Sequence, residues 1–138
     1  MLPLRDETPE GWIVTGYPWE QIEDARHKAF ADAYRARFND TPRLGSFLGY
    51  VVAYMVRDAI NKAGSVETDK LIAALKDMEF DTIVGSVTMR GIDQQASLGA
   101  WVGETAVKGG QGVMVNWKFI DGKDVMFSPE EVAAARKK

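Results

Sequence analysis

The sequence predicts an α/β protein, and two kinds of hydrophobic pattern indicate it. In the first part of the chain, apolar residues recur every three or four positions in three successive stretches, which is typical of amphipathic helices. Towards the C-terminus, two stretches alternate apolar and polar residues with a period of two, as half-buried strands do. The composition agrees with a folded domain, because 46% of the 138 residues are hydrophobic and 27% are charged.

The first predicted strand is short and leads into a stiff segment. Residues 11–16 have the pattern of a buried strand that ends at a glycine. We expect the following residues, Tyr17, Pro18 and Trp19, to be extended, because proline fixes its own φ and disfavours a helical conformation for the residue before it.

Three helices and a second strand are predicted next. We expect the helices over residues 21–38, 44–63 and 68–78. The apolar face of the first helix is predicted to consist of Ala29, Phe30, Ala33, Tyr34 and Phe38. The second helix has a broader apolar stripe and should end with Gly64 as its cap. Residues 80–90 are expected to form a loop and a strand, with a break at Gly85.

The C-terminal part of the chain predicts a hairpin and a short helix. The alternating stretches 100–107 and 113–120 flank a glycine-rich turn, which is typical of an antiparallel hairpin. Ser128 and Glu131 have the spacing of a capping box, so a final helix should begin there.

The predicted order contains more helix than its strands can cover. A self-contained α/β domain normally alternates strands and helices, whereas three helices here follow a single strand. We therefore expect these elements to complete a sheet that is supplied by sequence outside this chain or by a second copy.

Several function classes are disfavoured. The net charge of −3 offers no basic surface for nucleic acid, and the first nine residues lack the features of a secretory signal. There is no cysteine, and the one histidine, His27, lies between Arg26 and Lys28 and is expected to be a solvated surface residue. No catalytic group, metal site or cofactor is predicted, and we interpret the chain as not being an enzyme. The glycine-rich stretch Gly109–Gly112 lacks the ending of a phosphate-binding loop and is interpreted as a hairpin turn.

Aromatic residues are the candidates for ligand contact. Tyr17 and Trp19 lie on the proline-stiffened segment, and Phe47 lies in the first turn of the second helix, where backbone N–H groups are free. Tyr50 follows one turn later. Such a helix start beside an aromatic ring suits a carboxylate ligand, although most aromatics in a chain of this size pack in the core.

Three stretches together resemble a known family. They are the run from Lys28 to Phe38 followed by Pro42, the run from Gly49 to Arg90, and the run Val113–Gly122. In order and spacing they are similar to the C-terminal part of the branched-chain-amino-acid type of ABC-importer binding protein. The resemblance implies a partial type I periplasmic binding fold that lacks its N-terminal portion. Three helices and a short strand would come from one lobe and the hairpin from the other.

The resemblance also implies a division of the chain. Residues 1–19 would end the second lobe and cross over, and residues 20–93 would form the helical C-terminal part of the first lobe. Residues 94–127 would return to the second lobe as the hairpin, and residues 128–138 would form the final helix.

By the same resemblance, the chain is expected to be a fragment of a periplasmic receptor. Its ligand would be a small amino acid or an organic or aromatic acid, held in the full-length parent with help from Tyr17, Trp19, Phe47 and Tyr50. Its partners would be an ABC permease and a second copy of itself, in one form as a swapped dimer. Two alternatives stay open: a ligand-sensing regulatory domain of the same fold, and a non-binding fragment that oligomerises.

Overall fold

Within residues 4–137, which the computed structural model describes, the chain forms four α-helices and two antiparallel sheets, which confirms the α/β prediction. The helices are α1 Ala25–Phe38, α2 Leu44–Ala63, α3 Thr68–Leu75 and α4 Pro129–Ala135. The strands are β1 Ile13–Gly16, β2 Met78–Thr82, β3 Gly85–Met89, β4 Ala100–Lys108 and β5 Gln111–Ile120.

The chain divides into two units. The first contains the described residues up to Leu44 together with Gly99–Ile120, and therefore β1, α1, β4 and β5. The second contains Gly45–Leu98 and the residues from Asp121 onwards, and therefore nearly all of α2, with α3, α4 and the two-stranded sheet. The lobe to which each predicted segment belongs stays a prediction.

The first unit is built on the sheet β1-β4-β5. β4 and β5 form the predicted hairpin, and Gly109 and Gly110 occupy its two-residue turn with φ of 57° and 72°. Positive φ at both turn positions matches the right-handed twist of the strands, and glycine adopts it without strain. Trp101 on β4 and Met114 on β5 are buried, as are Phe30 and Ala31 on α1.

The second unit has its own buried residues. On α2 they recur every four positions as a single stripe: Phe47, Val51, Met55 and Ala59. β2 and β3 contribute Phe80 and Val87, which face each other in the register. Helix α2 ends where the sequence predicts, because Gly64 has a φ of 59° and its N–H donates a hydrogen bond to the carbonyl of Ile60. The predicted capping box of Ser128 and Glu131 is also present at α4.

The predicted third helix is too long. It ends at Leu75 rather than at residue 78, since Lys76 leaves the helical conformation with a ψ of 121° and Asp77 is left-handed with a φ of 52°. The carboxylate of Asp77 accepts a hydrogen bond from the N–H of Gly91 at 2.7 Å, which fixes this turn. Met78 consequently begins β2, and the segment predicted as a loop and a strand is a hairpin.

Candidate functional site

The segment Tyr17–Gln21, here called the strap, leaves β1 and leads to α1. Gly16 ends the strand, and Trp19–Gln21 forms a single 3-10 turn in which the N–H of Gln21 bonds the carbonyl of Pro18 at 2.8 Å. The helix predicted to begin at residue 21 therefore begins only at Ala25. Its cap is Asp24, whose carboxylate accepts the N–H groups of Arg26 and His27, each at 2.9 Å.

The side chain of Gln21 attaches the strap to β5 at two points. Its Nε2 donates to the carbonyl of Met114 at 3.0 Å, and its Oε1 accepts the indole N–H of Trp117 at 2.8 Å. A β-bulge makes this possible, because Asn116 and Trp117 together oppose the single residue Gly103 of β4. Asn116 has a φ of 49° there, and a bulge of this kind re-aims the next side chain.

Tyr17 joins the strap to α1 through His27. The phenol oxygen lies 2.6 Å from Nε2 of the imidazole, and the Tyr17 ring packs against Trp101 with ring centroids 5.4 Å apart. Burial raises the pKa of the Tyr17 phenol. Burial also lowers the pKa of His27, and the charge of Asp24 opposes that shift in part.

The interpretation of His27 as a solvated surface residue is wrong, since its side chain is 0% exposed. The apolar face predicted for this helix is also displaced. Ala29, Ala33 and Phe38 are exposed, whereas the buried positions of α1 are His27, Phe30 and Ala31. The physical reason is the contact with Tyr17. A hydrogen bond from the phenol lowers the free-energy cost of burying the imidazole.

Trp19, the second candidate on the strap, is half-buried. The guanidinium of Arg35, on the last turns of α1, lies 5.7 Å from the centre of its ring. This is the geometry of a cation–π contact. As a residue Trp19 is only partly buried, and it lies next to this positive charge.

Phe47 and Tyr50 belong to the second unit, one turn apart on α2. Phe47 is 1% exposed, so it presents no surface to a ligand in this conformation. Tyr50 is half-buried and packs against Tyr54 with ring centroids 4.6 Å apart. The pKa of Tyr50 is raised mainly by a hydrogen bond with Tyr54 and to a smaller extent by burial. Arg57 lies 4.4 Å from the centre of the Tyr54 ring.

Sequence reasoning missed Gln21, His27 and Trp117 as residues that build this region. Their contacts join positions up to 96 residues apart, and no local pattern reveals them. Within residues 4–137, no group of three acidic or histidine side chains is arranged to hold a metal ion. No helix of that same part is long and apolar enough to cross a bilayer.

The sequence of this chain is similar to a protein family and to a known relative. A family model described as periplasmic binding protein matches residues 3–111. The leucine-, isoleucine-, valine-, threonine- and alanine-binding protein of Pseudomonas aeruginosa is 26% identical over 95 residues, which are 69% of this chain and 24% of that protein.

Solved structures show the same fold. An ABC-type branched-chain amino acid transporter from Rhodopseudomonas palustris is 27% identical with a TM-score of 0.69, over 86% of this chain and 33% of that one. The leucine-, isoleucine-, valine-, threonine- and alanine-binding protein of Brucella ovis, in a closed conformation, has a TM-score of 0.71 at 19% identity, with the same two coverages, 86% and 33%. The chain thus spans a quarter to a third of the length of these relatives.

Proposed function

The chain belongs to the periplasmic binding protein family, and from this membership we propose that it is part of the solute-binding receptor of an ABC importer. The predicted partial α/β fold of that family is confirmed by the solved relatives, which it matches over about a third of their length. The receptor would act in the periplasm and deliver its ligand to an ABC permease.

The match of the family model to residues 3–111 carries the proposal, because it runs without a break through the strap, α1, α2 and β4. The relatives that are 26% and 27% identical both have names that refer to branched-chain or other small amino acids. We therefore propose a small amino acid as the first ligand to test, and an organic or aromatic acid as the second.

Among the four candidate residues, Trp19 and Tyr50 are the better ligand contacts. Both are half-buried aromatic residues, and an aromatic ring at such a position can cover an apolar side chain or stack on an aromatic acid. Tyr17 and Phe47 would support the site without contacting the ligand directly, since the Tyr17 hydroxyl contacts His27 and Phe47 is buried. The receptor sequence that this chain does not span would provide the remaining contacts.

A chimera tests the proposal directly. The matching part of the Rhodopseudomonas palustris relative would be replaced by this chain, and binding of leucine, valine and benzoate would be measured by calorimetry. We expect one of them to bind, and Trp19→Ala to weaken that binding at least tenfold. Trp12→Ala is the matched control, because Trp12 is also an indole but is 64% exposed outside the strap.

Two results would contradict the proposal. One is a folded chimera that binds none of the ligands. The other is an equal loss of affinity in the Trp19 and Trp12 variants, which would remove Trp19 from the binding site. The chain alone should bind these ligands weakly or not at all, and micromolar affinity of a monomer would show that the pocket is misplaced.

A second candidate function is self-association, which the exposed side of α2 favours. Val52 and Val56 are 52% and 51% exposed, and no charged residue occurs from Leu44 to Val56. A helix that is apolar around most of its circumference is normally covered on several sides. In this chain a second copy would provide that cover.

A further inference from the structure

The sheet β1-β4-β5 has two outer edges, and β1 forms one of them. In an antiparallel pair, opposed residues alternate between those that exchange backbone hydrogen bonds and those that do not. The N–H of Thr105 on β4 donates a hydrogen bond to the carbonyl of Trp12, so from Trp12 onwards every second residue is bonded to β4. The N–H and C=O groups of Ile13 and Thr15 therefore point away from β4, along the outer edge.

This edge of β1 is open. Ile13 is 80% exposed, and Thr15 is exposed as well. Within residues 4–137, no group forms a hydrogen bond with the outward N–H or C=O of either residue. Trp12, directly before the strand, is 64% exposed. The edge thus offers backbone donors and acceptors beside two large apolar side chains.

The opposite edge of the sheet, on β5, is partly covered by the chain itself. The carbonyl of Met114 accepts a hydrogen bond from Nε2 of Gln21 on the strap at 3.0 Å. The residues before β1 lie against Gly112, where an added Cβ would clash with Oγ1 of Thr8. A further strand can therefore join this sheet at β1 rather than at β5.

The open edge lacks the features that usually keep edge strands apart, which are charges, prolines and bulges. No charged residue occurs from Gly11 to Trp19, and Pro18 follows the strand rather than interrupting it. The β-bulge of this sheet lies between β4 and β5. Two copies of β1 would consequently meet without like charges between them.

Two copies of β1 also match each other in an antiparallel register. With Val14 opposite Val14 of the second copy, Ile13 lies opposite Thr15 in both directions, and their outward backbone groups bond each other. Ile13 and Thr15 are β-branched, which makes a favourable cross-strand pair. Trp12 then lies opposite Gly16, where the indole covers a backbone without a side chain.

The neighbouring registers fit less well. A shift by two positions in one direction would pair Thr15 with Gly11, which has a φ of 76° and is not extended. The same shift in the other direction would pair Ile13 with Tyr17, which lies on the strap beyond the end of β1. The register centred on Val14 therefore uses the strand fully.

We propose that the outer edge of β1 is a docking site for β1 of a second copy, so that the two sheets join into one antiparallel sheet about a two-fold axis. The inference goes beyond the proposed function, because it concerns the edge of β1 and not the exposed side of α2. It also holds whatever the ligand of the receptor is.

Disulfide cross-linking of the full chain tests this contact, since the native sequence contains no cysteine. In Val14→Cys the two Cα atoms would be about 4.5 Å apart across the axis, which a disulfide spans. In Thr15→Cys the cysteines would be diagonal neighbours at about 7–8 Å, beyond that range. Val66→Cys is the control for random collision, because Val66 is 76% exposed outside the sheet. We expect Val14→Cys to cross-link at least tenfold faster than either.

Proline at the open edge tests whether backbone hydrogen bonds make the contact. The N–H of Thr15 points outward, so Thr15→Pro removes one donor and leaves the bonds to β4 in place. Added to Val14→Cys, it should slow cross-linking at least tenfold, whereas the matched change Thr15→Val should not. Val52→Lys should also leave the rate unchanged, which separates this contact from association through α2.

Hydrogen exchange of the native chain gives a second measurement that needs no substitution. The amides of Ile13 and Thr15 should exchange at least severalfold more slowly as the protein concentration rises. The Val14 amide, which is bonded to β4, should be protected at every concentration.

The contact is refuted if Val14→Cys cross-links no faster than Val66→Cys, if Thr15→Cys cross-links faster than Val14→Cys, or if Val52→Lys abolishes the cross-link. Equal rates with Thr15→Pro and Thr15→Val would show that the strand edges do not pair. Edge amides that exchange equally fast at every concentration would exclude a second copy as the occupant. If they then became protected in the chimera with the Rhodopseudomonas palustris relative, the occupant would be a strand of that receptor, and the proposal would be wrong.

Discussion

Trp117 on β5 donates its indole N–H to the side chain of Gln21 over 2.8 Å, although the two residues are 96 positions apart in the sequence. The bulge at Asn116 and Trp117 makes this contact possible. The bulge in turn requires a glycine at the opposite position of β4. A Cβ at Gly103 would lie 2.7 Å from Cβ of Trp117 and 2.8 Å from the carbonyl oxygen of Val115. The strap therefore depends on a residue without a side chain in the neighbouring strand.

Replacing that glycine should destabilise the protein. In Gly103→Ala the added methyl group meets backbone and Cβ atoms that cannot rotate away, so we expect a loss of about 1–3 kcal/mol in the free energy of unfolding. Gly49→Ala is the control, because a Cβ there meets nothing within 4 Å and alanine in a helix gains about 1 kcal/mol over glycine. Urea denaturation measures both changes, and equal effects would show that the bulge does not need Gly103.

Some of the fold could be predicted because its signals are local. The bounds of α2 follow from an apolar stretch that starts after Pro42 and Arg43 and stops at Gly64, and the structure has the same bounds. The β4–β5 hairpin follows from two alternating stretches around paired glycines. In both cases the residues that define the element are neighbours along the chain.

Other features depend on distant contacts and were missed for that reason. Met78 falls three positions after Leu75, a helical spacing, but the left-handed Asp77 turns the chain into β2, and the partner that fixes this turn is Gly91. His27 has charged neighbours in the sequence, yet it is buried, and its ring contacts the hydroxyl of Tyr17 ten residues earlier in the chain. The likeness of the chain to its family was readable from the order of its motifs, whereas the roles proposed for Tyr17, Trp19, Phe47 and Tyr50 stay predictions.

Stability should fall on mild acidification. The pKa of His27 in the folded protein is lowered by burial, so below the ordinary histidine pKa of about 6.5 the unfolded chain binds the proton more readily than the folded one. The free energy of unfolding then decreases as the pH drops from about 6.5 towards the lower pKa of the folded state. Urea denaturation at a series of pH values measures this, and His27→Gln should have a flatter profile. Parallel profiles would contradict the assignment to His27.

The segment after β5 should loosen when Arg90 is removed. Arg90 donates to both carboxylate oxygens of Asp93 and to the carbonyl of Phe127, and it lowers the pKa of Asp93 to about 2. In Arg90→Ala we expect limited proteolysis to cut near Val125 and Phe127 at least severalfold faster. Arg57→Ala is the control, because Arg57 pairs with its neighbour Asp58 on the exposed side of α2. Equal cutting rates in both variants would show that Arg90 does not hold this segment.

The exposed side of α2 should make the chain associate with itself. Val52 and Val56 lie one turn apart and are about half exposed. The stretch 44–56 around them contains no charged side chain. Burying such a surface is favourable by about 25 cal/mol for each Å² removed from water. We therefore expect sedimentation to show a concentration-dependent dimer or larger species, and Val52→Lys to shift the chain towards monomer, because two copies would bring the new charges into an apolar contact. Val66→Lys should not have this effect, since Val66 is exposed outside α2. A cooperatively folded monomer at every concentration would exclude self-association as the function of this face.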